Sequence, residues 1–135
     1  MTDPRSALRL ESVSPWLEQH GFHLGDRGLF AAALERPWGT FEGQELYPGV
    51  WMKSAAILDS VISTHPFIDG NKRVGVLLAV LVLRAYGFPV TQTSSDDWFE
   101  LAVWDAVDHP DTHDIADRLR RVVQGGPGEY PRTHA

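Results

Sequence analysis

Cysteine is absent from the 135 residues, which excludes disulfides, a thiol nucleophile and thiolate metal sites, and accords with a reducing cytoplasm. Positive charge is scarce: 12 Lys and Arg stand against 18 Asp and Glu, for a net charge of −6. Direct nucleic-acid binding draws on counterion release at a cationic face, and this balance does not readily supply one. No apolar run approaches the roughly 20 residues that a bilayer-spanning helix takes, so no membrane association is expected. The N-terminus, Met1-Thr2-Asp3-Pro4-Arg5, is acidic and broken by Pro, unlike a signal peptide. Repeats are also missing. What is present, a hydrophobic content of 43%, suits one compact domain over 1–123 with a real core. The tail 124–135, with Gly125, Gly126, Pro127 and Gly128, is expected to be disordered.

The punctuation predicts an all-α chain. Ser14-Pro15 reads as a cap with Pro at the first helical position, and Gly21 as the end of that short helix. Asp26 should cap a helix over Arg27 to about Glu35, with Leu29, Phe30, Ala33 and Leu34 inward and Pro37 as the stop. A third helix is expected from about Gly49 to Ser63, with Met52, Ala55, Ala56, Leu58, Val61 and Ile62 as its buried stripe. The segment from about Asn71 to Tyr86 is apolar on every side and suits the central, fully buried helix of a bundle, ended by Gly87 and Pro89. Ser94 or Ser95 should cap a fifth helix that opens with Asp96 and Asp97. Thr112 should cap the last, with Ile115, Leu119, Val122 and Val123 on one face. Of the five Trp residues, Trp98 or Trp104 is expected in the core, and others could line a groove for a partner. Between Trp38 and Pro48 the chain is Gly-rich and too broken for a helix, so it reads as an excursion or small hairpin.

Chemistry concentrates in one run, His65-Pro66-Phe67-Ile68-Asp69-Gly70-Asn71-Lys72-Arg73. It lies where the chain enters the apolar helix, and the free N–H groups and dipole of a helix start favour an anion there. His65 supplies an imidazole, a side chain that can take a proton from a hydroxyl. Asp69 is a hard oxygen ligand suited to Mg²⁺. Gly70 lets backbone approach a ligand closely, and Asn71 can either cap the helix or bond a phosphate oxygen. Lys72 offers a point charge, and Arg73 a fork for two phosphate oxygens. Phe67 is the peg that anchors the loop. Singly, each residue has an ordinary structural use, as turn former, surface cation or satisfied His. Gathered around one helix start, they favour a site for moving a phosphorus group.

That run resembles the signature of the Fic/Doc family, which carries His, Phe two residues on, an acidic residue, Gly-Asn-Gly-Arg and a second Arg. Here Lys72 replaces the third small residue and Val76 the second Arg, as in the death-on-curing (Doc) branch. The likeness extends through Asp26-Arg27-Gly28-Leu29, Ala32, Leu34, Arg36-Pro37, Thr40-Phe41, Leu46-Tyr47-Pro48, Lys53 and Ala55-Ala56, and fades after about Val90. It implies a Fic-like helical bundle in which Thr40, Phe41, Glu42 and Gly43 belong to a flap that docks an extended segment of a target protein by strand addition. An ordinary connecting loop is the alternative. By the same resemblance His65 is catalytic, Asp69 holds Mg²⁺, and Gly70, Asn71, Lys72 and Arg73 hold the phosphates of ATP.

The Doc branch further implies transfer of the terminal phosphate of ATP to a threonine of elongation factor Tu, arresting translation in a bacterial cytoplasm. It also implies neutralisation by an antitoxin of the prevent-host-death kind. Inhibitory helices of the wider family carry Ser or Thr, three residues, Glu, then Gly or Asn; Ser14 to Glu18 fits only as far as Gln19, which points to inhibition by a second protein. Two alternatives remain open: a nucleotidyl transferase that attaches AMP to a protein hydroxyl, and an inactive binding module on the same scaffold.

Overall fold

A computed structural model describes residues 3–90 and 95–124. Six helices are present among them: α1 (Leu10–Gln19), α2 (Arg27–Glu35), α3 (Val50–Thr64), α4 (Asn71–Ala85), α5 (Ser95–Asp108) and α6 (Thr112–Gln124). Two short 3₁₀ turns, Pro4–Leu8 and Arg36–Trp38, and a hairpin of β1 (Thr40–Phe41) and β2 (Gln44–Glu45) complete the described elements. The expected all-α bundle with a small excursion before the motif is what the chain forms.

Helix α3 is the deepest element. Its residues Ala55, Ala56, Ile57, Leu58, Val61 and Ile62 are buried, and it packs against α4, α6, α5 and α2. Small residues let α3 and α4 approach closely. A Cβ on Gly75 would stand 3.2 Å from Leu58 Cδ1 and 3.3 Å from Ile62 Cγ1, and the Ser54 hydroxyl crosses between the helices to donate to the Ala79 carbonyl at 2.8 Å. On α4, Val74, Leu78, Ala79, Val82 and Leu83 are buried, while Val76, Leu77, Val80 and Leu81 are half-buried. The full burial expected of this helix is not met: one flank reaches the surface, because neighbouring helices cover only the Val74, Leu78 and Val82 side, and α3 is the more deeply buried of the two.

Several expected boundaries shift for local reasons. Helix α1 starts at Leu10, and Pro15 lies inside it. A Pro interior to a helix forfeits one backbone bond, but Val13 and Leu17 sit on the buried face and hold both halves of the helix to the core. Leu29 of α2, expected inward, is exposed, whereas Phe30, Ala33 and Leu34 are buried. The cap of α6 is Asp111, whose Oδ1 accepts from the Asp114 N–H at 2.9 Å; Thr112 is the first helical residue and its hydroxyl faces Arg36 instead. Asp26 caps α2 as expected, accepting from the Leu29 N–H at 3.0 Å. Trp98 is buried and Trp104 half-buried. The expected cap Ser94 and the tail from Gly125 onward lie outside the described residues. Among the described residues no helix is long and apolar enough to cross a membrane.

Candidate active site

The motif loop is held from three sides. Gly25 and Asp26 donate their N–H groups to the Pro66 carbonyl at 2.8 and 2.9 Å, and the Ile68 N–H donates to the His23 carbonyl at 2.9 Å. Phe67 is buried with its ring edge-on to Phe30, 4.8 Å between centroids, so the expected peg is in place. Asn71 supplies the third hold: its Oδ1 accepts from the Phe67 N–H and its Nδ2 donates to the Phe67 carbonyl, each at 2.9 Å. The Asn71 side chain is thus committed to the loop, neither capping α4 nor facing outward for a phosphate. Gly70 occupies the cap position with φ 79°, and a Cβ there would meet the Phe22 ring at 2.8 Å. Its requirement is conformational and steric together.

His65 ends α3 in the left-handed region, φ 54° and ψ 58°, with its N–H donating to the Val61 carbonyl at 3.1 Å. Its side chain is exposed, open to an incoming hydroxyl. A hollow of about 690 Å³ is lined by Asp69, Gly70, Lys72 and Arg73 of the motif. Neither Lys72 nor Arg73 has an ion-pair partner among the described residues, so both charges remain available to an anion. Asp69 Oδ1 accepts from the Gly70 N–H at 2.8 Å. No group of three His, Asp or Glu gathers anywhere among the described residues. A single exposed carboxylate suits a cation shared with substrate phosphates, as Mg²⁺ commonly is.

The hollow contains residues that the motif did not announce. Trp98, Phe99 and Ala102 of α5 form an apolar wall, completed by Val76, with His20 and Phe22 at the end of α1. The signal for the α5 wall was the 98/102 helical spacing, but only tertiary packing assigns that face to the hollow. Val76 stands in it where the wider family pattern has an Arg, so the exchange removes a charge from the cavity itself. His65 does not line the hollow, nor do Thr40, Phe41, Glu42 and Gly43.

Those four residues form the tip of the hairpin. Thr40 pairs with Glu45 and Phe41 with Gln44, and the turn places Glu42 at φ 51° and Gly43 at φ 79°, the positive pair that tight hairpin turns favour. Both strands are exposed, with Phe41 at 66%, leaving backbone on the edge to pair with another chain. Glu18, the near-match to an inhibitory Glu, is engaged elsewhere: its Oε1 lies 2.7 Å from His23 Nδ1 and its Oε2 accepts from the Leu24 N–H.

The profile of the Fic/DOC family matches residues 9–83, more than half of the chain. The chain belongs to that family. It is 42% identical over 62 residues to the Toxin Doc of Mycolicibacterium smegmatis, covering 46% of this chain and 48% of the relative. It is 52% identical over 44 residues to a Fido domain-containing protein of Dictyostelium discoideum, covering 33% of this chain and 31% of the relative. The chain thus spans about half the length of the first of these relatives, and less of the second. No solved structure matches.

Proposed function

We propose that the protein is a Doc-type toxin that transfers the terminal phosphate of ATP to a protein hydroxyl, with elongation factor Tu as target, and so arrests translation in the bacterial cytoplasm. The observation that carries this reading is the pairing of Lys72 and Val76 in one hollow. Fic-type nucleotidyl transfer uses a small residue and a second Arg at those places, whereas a long cation and an apolar residue favour a different seat for the triphosphate. In the proposed reaction the target hydroxyl oxygen forms a bond to the γ-phosphorus. The bond from that phosphorus to the bridging oxygen breaks, ADP leaves, and the hydroxyl proton passes to His65.

The protein's work in such a transfer is positioning and charge neutralisation. Lys72, Arg73 and the first-turn N–H groups of α4 hold phosphate oxygens, with Gly70 backing them, and Asn71 fixes the loop that presents them. Asp69 would hold the Mg²⁺ that comes with ATP, which would supply charge neutralisation at the phosphates. The hairpin tip, Thr40 to Gly43, docks the target segment beside His65, and an antitoxin of the prevent-host-death kind supplies inhibition.

The test incubates the protein with elongation factor Tu, or a bacterial extract, and ATP labelled at the α or the γ phosphate. Label from γ is expected, and His65→Ala should lower its transfer by about 10² to 10⁴. Label from α instead makes the protein a nucleotidyl transferase, and none makes it a binding module. Equal labelling by His65→Ala and the parent sinks the assigned base.

A further inference from the structure

A hairpin with two residues in each strand and both faces in solvent has almost nothing of its own to hold its direction. Here the direction is set at its base by two cations that converge on one residue, Tyr47. Lys53, in the second turn of α3, is only 4% exposed. Its Nζ donates to the Tyr47 carbonyl and to Glu45 Oε1, each at 2.6 Å. Arg36 donates through Nε to the Tyr47 hydroxyl at 3.0 Å and lays its guanidinium over the Tyr47 ring, 5.2 Å from the centroid. Arg36 is itself fixed to α3 through Nη1 and Asp59 Oδ2 at 2.9 Å. The Leu46 N–H closes the base on the Gly39 carbonyl at 3.0 Å.

Burying an ammonium group is costly unless it is paired and hydrogen-bonded, and an ordinary connecting loop needs no such fixture. The same helix that carries Lys53 and Asp59 ends in His65. One rigid rod therefore references both the hairpin and the base. We infer that Lys53, Tyr47 and Arg36 are positioning residues that clamp the hairpin to α3 and so set the distance at which a docked target hydroxyl meets His65. This rests on the kinase reading above and extends it from the site to the device that aligns its protein substrate.

Two readouts test it on Lys53→Met, which fills the buried path without a charge, and on Tyr47→Phe, which deletes one half-buried oxygen and keeps the fold if the first variant does not. Amide hydrogen exchange at Leu46 and in β1 and β2 should quicken about tenfold or more in both, with α3 and α4 amides unchanged. In γ-phosphate transfer, the target KM should rise about tenfold, with kcat for bound target also falling and ATP affinity unchanged. Glu45→Gln made alone, which keeps an acceptor for Lys53, should retain hairpin exchange and target KM close to the parent.

Unchanged exchange in the hairpin overturns the clamp, whatever the activity. Quickened exchange with target KM and kcat within twofold of the parent overturns the positioning role. If the parent transfers no γ-phosphate, the kinase reading falls and the positioning role with it, while exchange still judges the clamp.

Discussion

Asn71 meets both polar groups of a single residue, Phe67, with the two ends of one carboxamide. Asp lacks the donor for that pair of bonds, Leu lacks both groups, and Gln carries the same carboxamide one methylene further out. Asn71→Ala should therefore act on the loop before it acts on ATP, leaving the N–H and carbonyl of a buried residue unpaired at a cost of about 1 to 3 kcal/mol. Urea unfolding should show that loss, and Asn71→Asp should show a good part of it. A variant of parental stability with a raised KM for ATP would return Asn71 to the phosphate role that its place in the motif suggests. The motif could be read in the sequence because its residue types are chemically rare in combination. The commitment of Asn71 could not, because its partner is backbone, and backbone leaves no trace in residue identity.

Among the elements, those set by local periodicity and capping were legible: Asp26 before α2, the buried stripe of α3, and the chain entering α4 at Asn71. Those set by distant contacts were not. Helix α1 runs through Pro15 because Val13 and Leu17 find a core, and no local rule registers that. Gly75 reads as a weakness in a helix, but it is the place where α3 comes within reach of α4. Gly75→Leu should push Leu58 and Ile62 aside and cost about 1 to 3 kcal/mol or more by overpacking, seen as a lowered Tm. Because α4 begins at the turn that carries Lys72 and Arg73 and α3 ends at His65, the same variant should, on the proposed function, also lower γ-phosphate transfer in protein that remains folded. Full activity at a lowered Tm would show that the spacing of the two helices does not set the site.

At the scale of the whole molecule, four helices meet at a partly buried polar junction around Arg36, Asp59, Thr112 and Asp105. Arg36 at the end of α2 donates to Asp59 of α3 and, at 3.4 Å, to the Thr112 hydroxyl that opens α6. Asp59 also accepts from the Ser63 hydroxyl at 3.2 Å. Asp105 of α5 is fully buried and meets no ordinary donor among the described residues, so the carboxyl of Asp59 is the group with which it can bond, by sharing a proton. Burial, then the hydrogen bond to Asp59, then the Asp59 charge push Asp105 from 3.8 up to about 8, against a smaller opposing pull from Arg36. Burial is the largest influence on Asp59 and works to raise it, but the hydrogen bonds from Asp105, Arg36 and Ser63 together with the Arg36 charge outweigh it and hold it below its usual value. The linkage has a definite sign: between 3.8 and about 8 the folded protein keeps a proton on Asp105 that the unfolded chain has released. Stability from this group is therefore complete below that window and declines through it, by at most about 1.4 kcal/mol per pH unit. Asp59 acts oppositely and only in stronger acid. Tm should fall as pH rises from 5 to 8.5, and Asp105→Asn, whose carboxamide can donate to Asp59 at every pH, should flatten that fall. The gain should be small at pH 5 and largest near pH 8.5. Because α5 also supplies Trp98, Phe99 and Ala102 to the hollow, affinity for ATP should weaken over the same pH range in the parent and less so in Asp105→Asn. Thermal melts of parent and variant that run parallel from pH 5 to 8.5 would show that no proton is shared at this junction.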